Sequence, residues 1–217
     1  NASPIFVTGL TNELPYLCSI TASNVYGSSA AVPFSVTPST SAPLALFSVH
    51  SRKPHGTAGD YSVDIDLLPS IYGAITVEPR ASAAGHVLVF TFNNAVSAAG
   101  TASAEDSFMT ALPGTFATIA AGNSVEVAMP VIADATRLLV TLTGVNGTPA
   151  VFTVSLGLLV GDVTNSGLVT AADISAIKSR DGQPLGPLNF QFDVNLSGGI
   201  SAADVTAAKA RAGQTLP

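Results

Sequence analysis

Two stretches of the chain set acidic side chains at matched points: GDVTNSGLVTAADISAIKSRDGQ from Gly161 to Gln183, and FDVNLSGGISAADVTAAKARAGQ from Phe192 to Gln214. Asp162 and Asp193, Asp173 and Asp204, Lys178 and Lys209, and Gln183 and Gln214 all lie 31 residues apart. One offset held through loop and helix marks a duplicated unit. In each unit an Asp opens a twelve-residue loop, a Gly stands at position six (Gly167, Gly198), an aliphatic residue at position eight (Val169, Ile200), and an Asp closes it. This is the grammar of a calcium loop. The ion takes roughly six to eight hard oxygens, so the chain must turn sharply at the Gly and offer the next carbonyl, and the closing acid must enter from the first turn of a helix. The candidate ligands are Asp162, Thr164, Ser166, the carbonyl of Leu168 and Asp173 in loop one, and Asp193, Asn195, Ser197, the carbonyl of Gly199 and Asp204 in loop two.

Such loops need helices to hold them. AADISAIKSR and AADVTAAKAR follow directly, with Ile174, Ile177 and Val205, Ala208 at apolar spacing, so the two units are expected to pack face to face. The doubled pattern, from Gly161 to Leu216, strongly resembles the dockerin type I family, whose loops read D-x-N-x-D-G-x-[IV]-x-x-x-D. The resemblance implies a secreted, non-catalytic, calcium-stabilised module. The chain departs from the family at position five, with Ser166 and Ser197 where Asp is usual, and at position three of loop one, with Thr164. Two carboxylates per loop predict weak sites, about 10⁻⁴ to 10⁻³ M, since affinity follows charge count. The family's partner-reading pair at positions ten and eleven is often Ser-Thr. Here it is Ala171-Ala172 and Ala202-Ala203, which counts against a cohesin-type partner. The competing reading is a packed helix pair that folds without metal.

Upstream, residues 45–160 carry short alternating or apolar runs: LFSV, YSVDIDL, HVLVFTF, FATIA, SVEVAM, RLLVTLTGV and VFTVSLGLL, separated by Gly, Pro, Asn and Asp turns. They predict an antiparallel β-sandwich. In YSVDIDL, Tyr61, Val63, Ile65 and Leu67 oppose Ser62, Asp64 and Asp66, so one side of that strand is expected to be wet. STSAPL, residues 39–44, reads as a linker. In residues 1–38, Tyr16, Cys18, Ile20 and Ala22 alternate before the turn SNVYGSS and the strand PFSV, which predicts a hairpin and a buried Cys18 thiol. GLTNELPYLCSITASNVYGSSAAVPFSVTP resembles the last three strands of a fibronectin type III domain. Leu10 and Tyr16 match that family's tyrosine corner, which implies a bond from the Tyr hydroxyl to nearby backbone, and Asn24 and Gly27 match its turn. The missing strands would come from a longer chain or from another molecule by strand addition.

The fold expected is therefore mainly β: antiparallel sandwich with a small C-terminal helical module of paired calcium loops, divided as 1–38, 39–44, 45–160 and 161–217. With 8 Lys and Arg and a net charge of -6, the chain lacks the basic face that nucleic acid needs. No apolar run is long enough to span a bilayer, and NASPIFVTGL does not read as a signal peptide. A mean hydropathy of +0.46 with 10% charged residues suggests surface meant to be covered by a partner. HSRKPH, residues 50–55, is the one basic cluster and is expected to be a solvated, Pro-containing turn. Asp64, Asp66 and Glu78 could in principle do acid/base work on sugars, but a wet sheet face explains the strand pair more simply. No nucleophile elbow, P-loop, zinc-protease or dinucleotide motif occurs. Two function classes fit: a non-catalytic structural or adhesive assembly protein of the bacterial surface or exterior, self-associating as a filament or fibre subunit, or the accessory tail of a secreted hydrolase.

Overall fold

The structure is a computed structural model that describes residues 7–38, 43–67, 73, 75–81 and 85–217. Residues 1–6 of the first segment and 39–42 of the expected linker lie outside the described residues. The chain forms two compact units, Asn1–Pro43 and Leu44–Pro217, so the expected sandwich and the duplicated loops belong to the same unit. The protein is mainly β, with largely antiparallel sheets.

In the first unit β1 (Tyr16–Ile20) pairs antiparallel with β4 (Val32–Val36), and a short ladder of β2 (Ser23–Asn24) and β3 (Gly27–Ser28) caps the hairpin. The Thr11 amide donates to the Tyr16 hydroxyl at 2.8 Å, and the Tyr26 amide donates to Asn24 Oδ1 at 2.9 Å. Cys18 departs from expectation: it is half-buried, because a two-stranded ribbon has no second layer to close over it within the described residues.

The second unit is built on two sheets. One has five strands in the order β10 (Ala117–Ala121), β11 (Ser124–Met129), β8 (His86–Phe92), β5 (Leu46–Pro54), β6 (Asp60–Ile65). The other has four, ordered β7 (Thr76–Glu78), β13 (Val151–Leu158), β12 (Thr136–Thr143), β9 (Thr101–Asp106). Strand β7 runs parallel to β13; the other pairs are antiparallel. Period-two alternation sets the inner faces. Leu88, Phe90 and Phe92 of β8 meet Leu138, Val140 and Leu142 of β12 and Val154 and Leu156 of β13 in one core, while Val87, Val89 and Thr91 face outward. Each such large apolar side chain contributes about 1.5–3 kcal/mol by leaving water.

Strand β5 corrects the reading of HSRKPH as a solvated turn. The segment is extended, so Ser51, Lys53 and His55 alternate inward and are buried at 0–2% exposure, with His50 and Arg52 outward. They can face inward because charged partners wait there, as described below.

After β13 come α1 (Ala171–Lys178) and α2 (Ala202–Lys209), each opened by a capping box. Thr170 and Ser201 accept from the amides of Ala172 and Ala203, while Asp173 and Asp204 accept from the backbone amides of the two caps. Ile177, Val205 and Ala208 share a small core with Phe192, Val194 and Ile200, so the helices pack as their spacing predicts. The pairing is reciprocal: the Gly213 amide, beyond α2, bonds the Val169 carbonyl at 2.9 Å, and the Gly182 amide, beyond α1, bonds the Ile200 carbonyl at 2.9 Å. A third cluster of Ile75, Val77, Leu159, Val169 and Leu216 joins this module to the sandwich.

The turn between β5 and β6 meets loop two closely. Gly56 has φ +50°, and a Cβ added there would lie 2.4 Å from the Ser197 carbonyl oxygen. Gly56→Ala is therefore expected to cost about 2–4 kcal/mol in urea unfolding, since backbone strain and a backbone clash add. Gly122→Ala, at φ +64° with open space around it, should cost only the strain, about 1 kcal/mol.

Candidate functional site: paired acidic loops and a buried ionic joint

The loop sequence curls each chain segment around its first Asp. Asp162 is 1% exposed. Its Oδ1 accepts from the Ser166 amide at 2.9 Å and the Ser166 hydroxyl at 3.3 Å, and its Oδ2 from the Gly167 amide at 2.7 Å. Asp173 is fully buried and closes the loop: Oδ1 accepts from the amide and hydroxyl of Thr164, Oδ2 from the amide and hydroxyl of Thr170. Ser166 also donates to the Leu168 carbonyl at 2.9 Å.

Loop two repeats this pattern except that Asn195 stands for Thr164, so the hydroxyl bond to the closing Asp is missing. Asp193 accepts from the Ser197 amide and hydroxyl and the Gly198 amide; Asp204 accepts from the Asn195 amide and from the amide and hydroxyl of Ser201; Ser197 donates to the Gly199 carbonyl. Asn195 Oδ1 takes the Ser197 amide as well. All ten residues singled out from sequence thus gather in two loops, five to each. Ala171-Ala172 and Ala202-Ala203 are exposed on the first turns of the helices.

The electrostatics follow from packing two carboxylates under cover in each loop. Burial pushes the Asp162 carboxyl up, the Ser166 and Gly167 bonds offset this only in part, and the Asp173 charge adds to it, for a net rise. Asp204 is raised in the same way, with Asp193 as the neighbouring charge. Burial also opposes ionisation of Asp173 and Asp193, but their donors outweigh it and hold both below the usual carboxylate range. Paired buried carboxylates that disfavour each other's charge, surrounded by hydroxyl and carbonyl oxygens, form a donor set that fits a hard divalent cation. Among the described residues no three His, Cys, Asp or Glu side chains form a group that could hold a metal ion, so a cation here would need neutral oxygens for the rest of its sphere.

Beside loop two lies a polar network that sequence reasoning missed. Glu78 and Arg80, both at most 1% exposed, pair through Nε to Oε1 and a terminal guanidinium nitrogen to Oε2, each at 2.7 Å. Arg80 also donates to the carbonyls of Ser51 and Tyr61, and Ser51 Oγ donates to Glu78. Burial pushes the Glu78 carboxyl up, but the bonds and charge of Arg80, the Lys53 charge and the Ser51 hydroxyl outweigh it, leaving it low. Lys53 Nζ donates to the carbonyls of Ala81 and Gly85, and burial brings it down to about 8. His55 lies between this network and the loop: Nε2 is 3.0 Å from a terminal Arg80 nitrogen, and Nδ1 is 2.8 Å from Asp193 Oδ2. Phe190, just ahead of loop two, stacks on Tyr61 at 5.3 Å and lies beneath the Arg80 guanidinium at 5.2 Å. The signal available in sequence was the period of β5, in which Lys53 and His55 share the face of Val49.

A second histidine makes a chain with the order of a nucleophile, base and orienter. Ser48 Oγ is 3.0 Å from His50 Nε2, and His50 Nδ1 is 2.8 Å from Asp64 Oδ1. It lies on the outer face of the five-stranded sheet with Asp64 89% exposed, so water screens the pair and nothing in it excludes solvent.

No family model matches the chain, and no curated protein and no solved structure matches it. No helix among the described residues is long and apolar enough to cross a membrane.

Proposed function

We propose that the chain is a non-catalytic structural or adhesive assembly subunit of a bacterial surface or extracellular fibre. In this reading the C-terminal loops and helices are a dockerin-like module stabilised by calcium, and a protein partner, foremost a second copy of the chain, covers the N-terminal hairpin. The observation that carries the assembly reading is that hairpin. Its strands hold no charged residue, and Leu17, Ile20, Val32 and Phe34 are 84%, 50%, 60% and 48% exposed. A two-stranded ribbon is marginal in water and gains stability from further strands.

Asp162, Thr164, Ser166, the Leu168 carbonyl and Asp173 would hold the ion in loop one; Asp193, Asn195, Ser197, the Gly199 carbonyl and Asp204 are their counterparts by position in loop two. Calcium would supply the positive charge that two buried carboxylates lack. At 10 mM calcium a site of about 10⁻⁴ M adds about 2.7 kcal/mol of stability. Light scattering with millimolar calcium and then with excess chelator tests the function. Calcium-dependent polymers are expected. A monomer in both states sinks the assembly reading and favours an accessory region of a secreted hydrolase; melting that ignores calcium sinks the calcium reading.

A further inference from the structure

We propose that the two loops, alike in sequence, have different jobs: loop one takes the cation, and loop two is a metal-free joint in which the His55 ring stands where a cation would bind and locks the helix pair to the sandwich. The assignment of loop one rests on the calcium reading above; the joint does not.

The duplication supplies its own control. Asp162 and Asp193 receive the same amides and the same serine hydroxyl from their own loops. Asp193 alone of the two also receives a ring nitrogen, 138 residues away in sequence. A carboxylate offers about four lone-pair directions. The four donors to Asp193 take them all.

Chemistry makes this fourth donor permanent. Arg80 can only donate, so the His55 Nε2 that faces it must carry the lone pair, and the proton of the neutral ring must sit on Nδ1, aimed at Asp193. Arg80 is fixed in turn by Glu78 and by the carbonyls of Ser51 and Tyr61. His55 and Asp193 are both fully buried, so water cannot stand in for either. The ring therefore has no route to becoming a ligand. Loop one carries no such ring: among the described residues Asp162 receives two amides and the Ser166 hydroxyl of its own loop, and Asp173 receives the Thr164 hydroxyl where loop two has Asn195. A hydroxyl that rotates its hydrogen away presents a lone pair, so Thr164 and Ser166 can change from donors to ligands, as Ser197 can; loop two alone of the pair also holds a donor that cannot.

The backbone of loop two is seated as tightly. A Cβ at Gly56 would strike the Ser197 carbonyl, and one at Gly198 would lie 3.0 Å from the His55 carbonyl oxygen. The Ala81 amide donates to the Val194 carbonyl at 2.7 Å beside it. Loop one meets the sandwich too, through the Val77 amide on Asn165 Oδ1 at 2.6 Å and the Gly161 amide on the Pro79 carbonyl at 2.8 Å, but those bonds end on Asn165 and Gly161 and not on a loop-one carboxylate.

Two measurements on the full chain test the assignment. Calcium titration by calorimetry is expected to give one site, lost in Asp162→Ala; two sites overturn the division of roles. No binding at all overturns the calcium reading and leaves the joint to the second measurement. In that one, amide exchange is followed in chelator for His55→Ala. The Ser197 and Gly198 amides are expected to exchange about tenfold faster or more, with those of Ser166 and Gly167 unchanged. His55→Asn, whose amide nitrogen can stand where Nδ1 stood, is expected to restore most of the protection, and it keeps the test open should the Ala variant not fold. Equal exchange in the two loops, or loop-two protection indifferent to residue 55, overturns the joint.

Discussion

Replacing Arg80 with Met is expected to destabilise the Leu44–Pro217 unit by about 3–5 kcal/mol, the cost of stranding a buried charge by removing its partner. Glu78 is 1% exposed and takes two of its bonds from the Arg80 side chain, so the variant leaves an ionised carboxylate without its counter-charge. For a chain of this length that is a fall of roughly 10 °C in Tm. Glu78→Leu combined with Arg80→Met should regain part of the loss, because burying neither charge is cheaper than burying one. Recovery stays incomplete while the Ser51 and Tyr61 carbonyls and His55 Nε2 lose their donor. Urea unfolding of the two variants checks this; a single variant within 1 kcal/mol of the parent would mean that Glu78 simply takes up a proton at little cost.

The second large effect lies on the acid limb. His86 points inward from β8, is 2% exposed, and has no hydrogen-bond partner at either ring nitrogen among the described residues. Burial, with the nearby charges of Lys53 and Arg80 adding and that of Glu78 opposing, lowers the imidazole from 6.5 to about 4. Between those values the unfolded chain binds the proton and the folded chain does not, so stability falls as pH falls through this window. The loss reaches about 3 kcal/mol by pH 4 and is absent above 6.5. His86→Leu should remove this component of the slope and raise stability most near pH 4. Lys53 acts at the other end with the same sign: from about 8 to 10.5 the unfolded chain holds more protons, so stability rises with pH there. Parallel pH–stability curves for parent and His86→Leu would contradict the first claim.

Much of the framework is legible because period and packing agree. The constant offset predicts the paired loops and helices, and the alternation in YSVDIDL and HVLVFTF predicts which residues face the core. Strands β7 and β9 escaped the reading for a physical reason. TASAED places Ala102, Ala104 and the polar Asp106 on its inward face, and TVE is three residues long, so neither presents the bulky alternation that marks a strand. HSRKPH was misjudged because alternation treats a polar residue as an outward one, whereas burial of Lys53 and His55 depends on carbonyls and charges from elsewhere in the chain. Cys18 was misjudged because a single alternating strand does not say whether a second layer covers it.

By itself, then, the sequence determined what is local and repetitive. The two Asp-Gly loops, their capping boxes and the helices after them need only residues within a dozen positions of one another, and the strands need only period two. Tertiary structure alone decided that the loops are unequal. The bond from His55 to Asp193, the Arg80 and Glu78 pair behind it and the seating of Gly56 on Ser197 join segments far apart in the chain. A duplicated sequence carries no sign of which copy will meet which side chain; the sandwich touches both loops, and the asymmetry arises only because His55 reaches the first carboxylate of loop two.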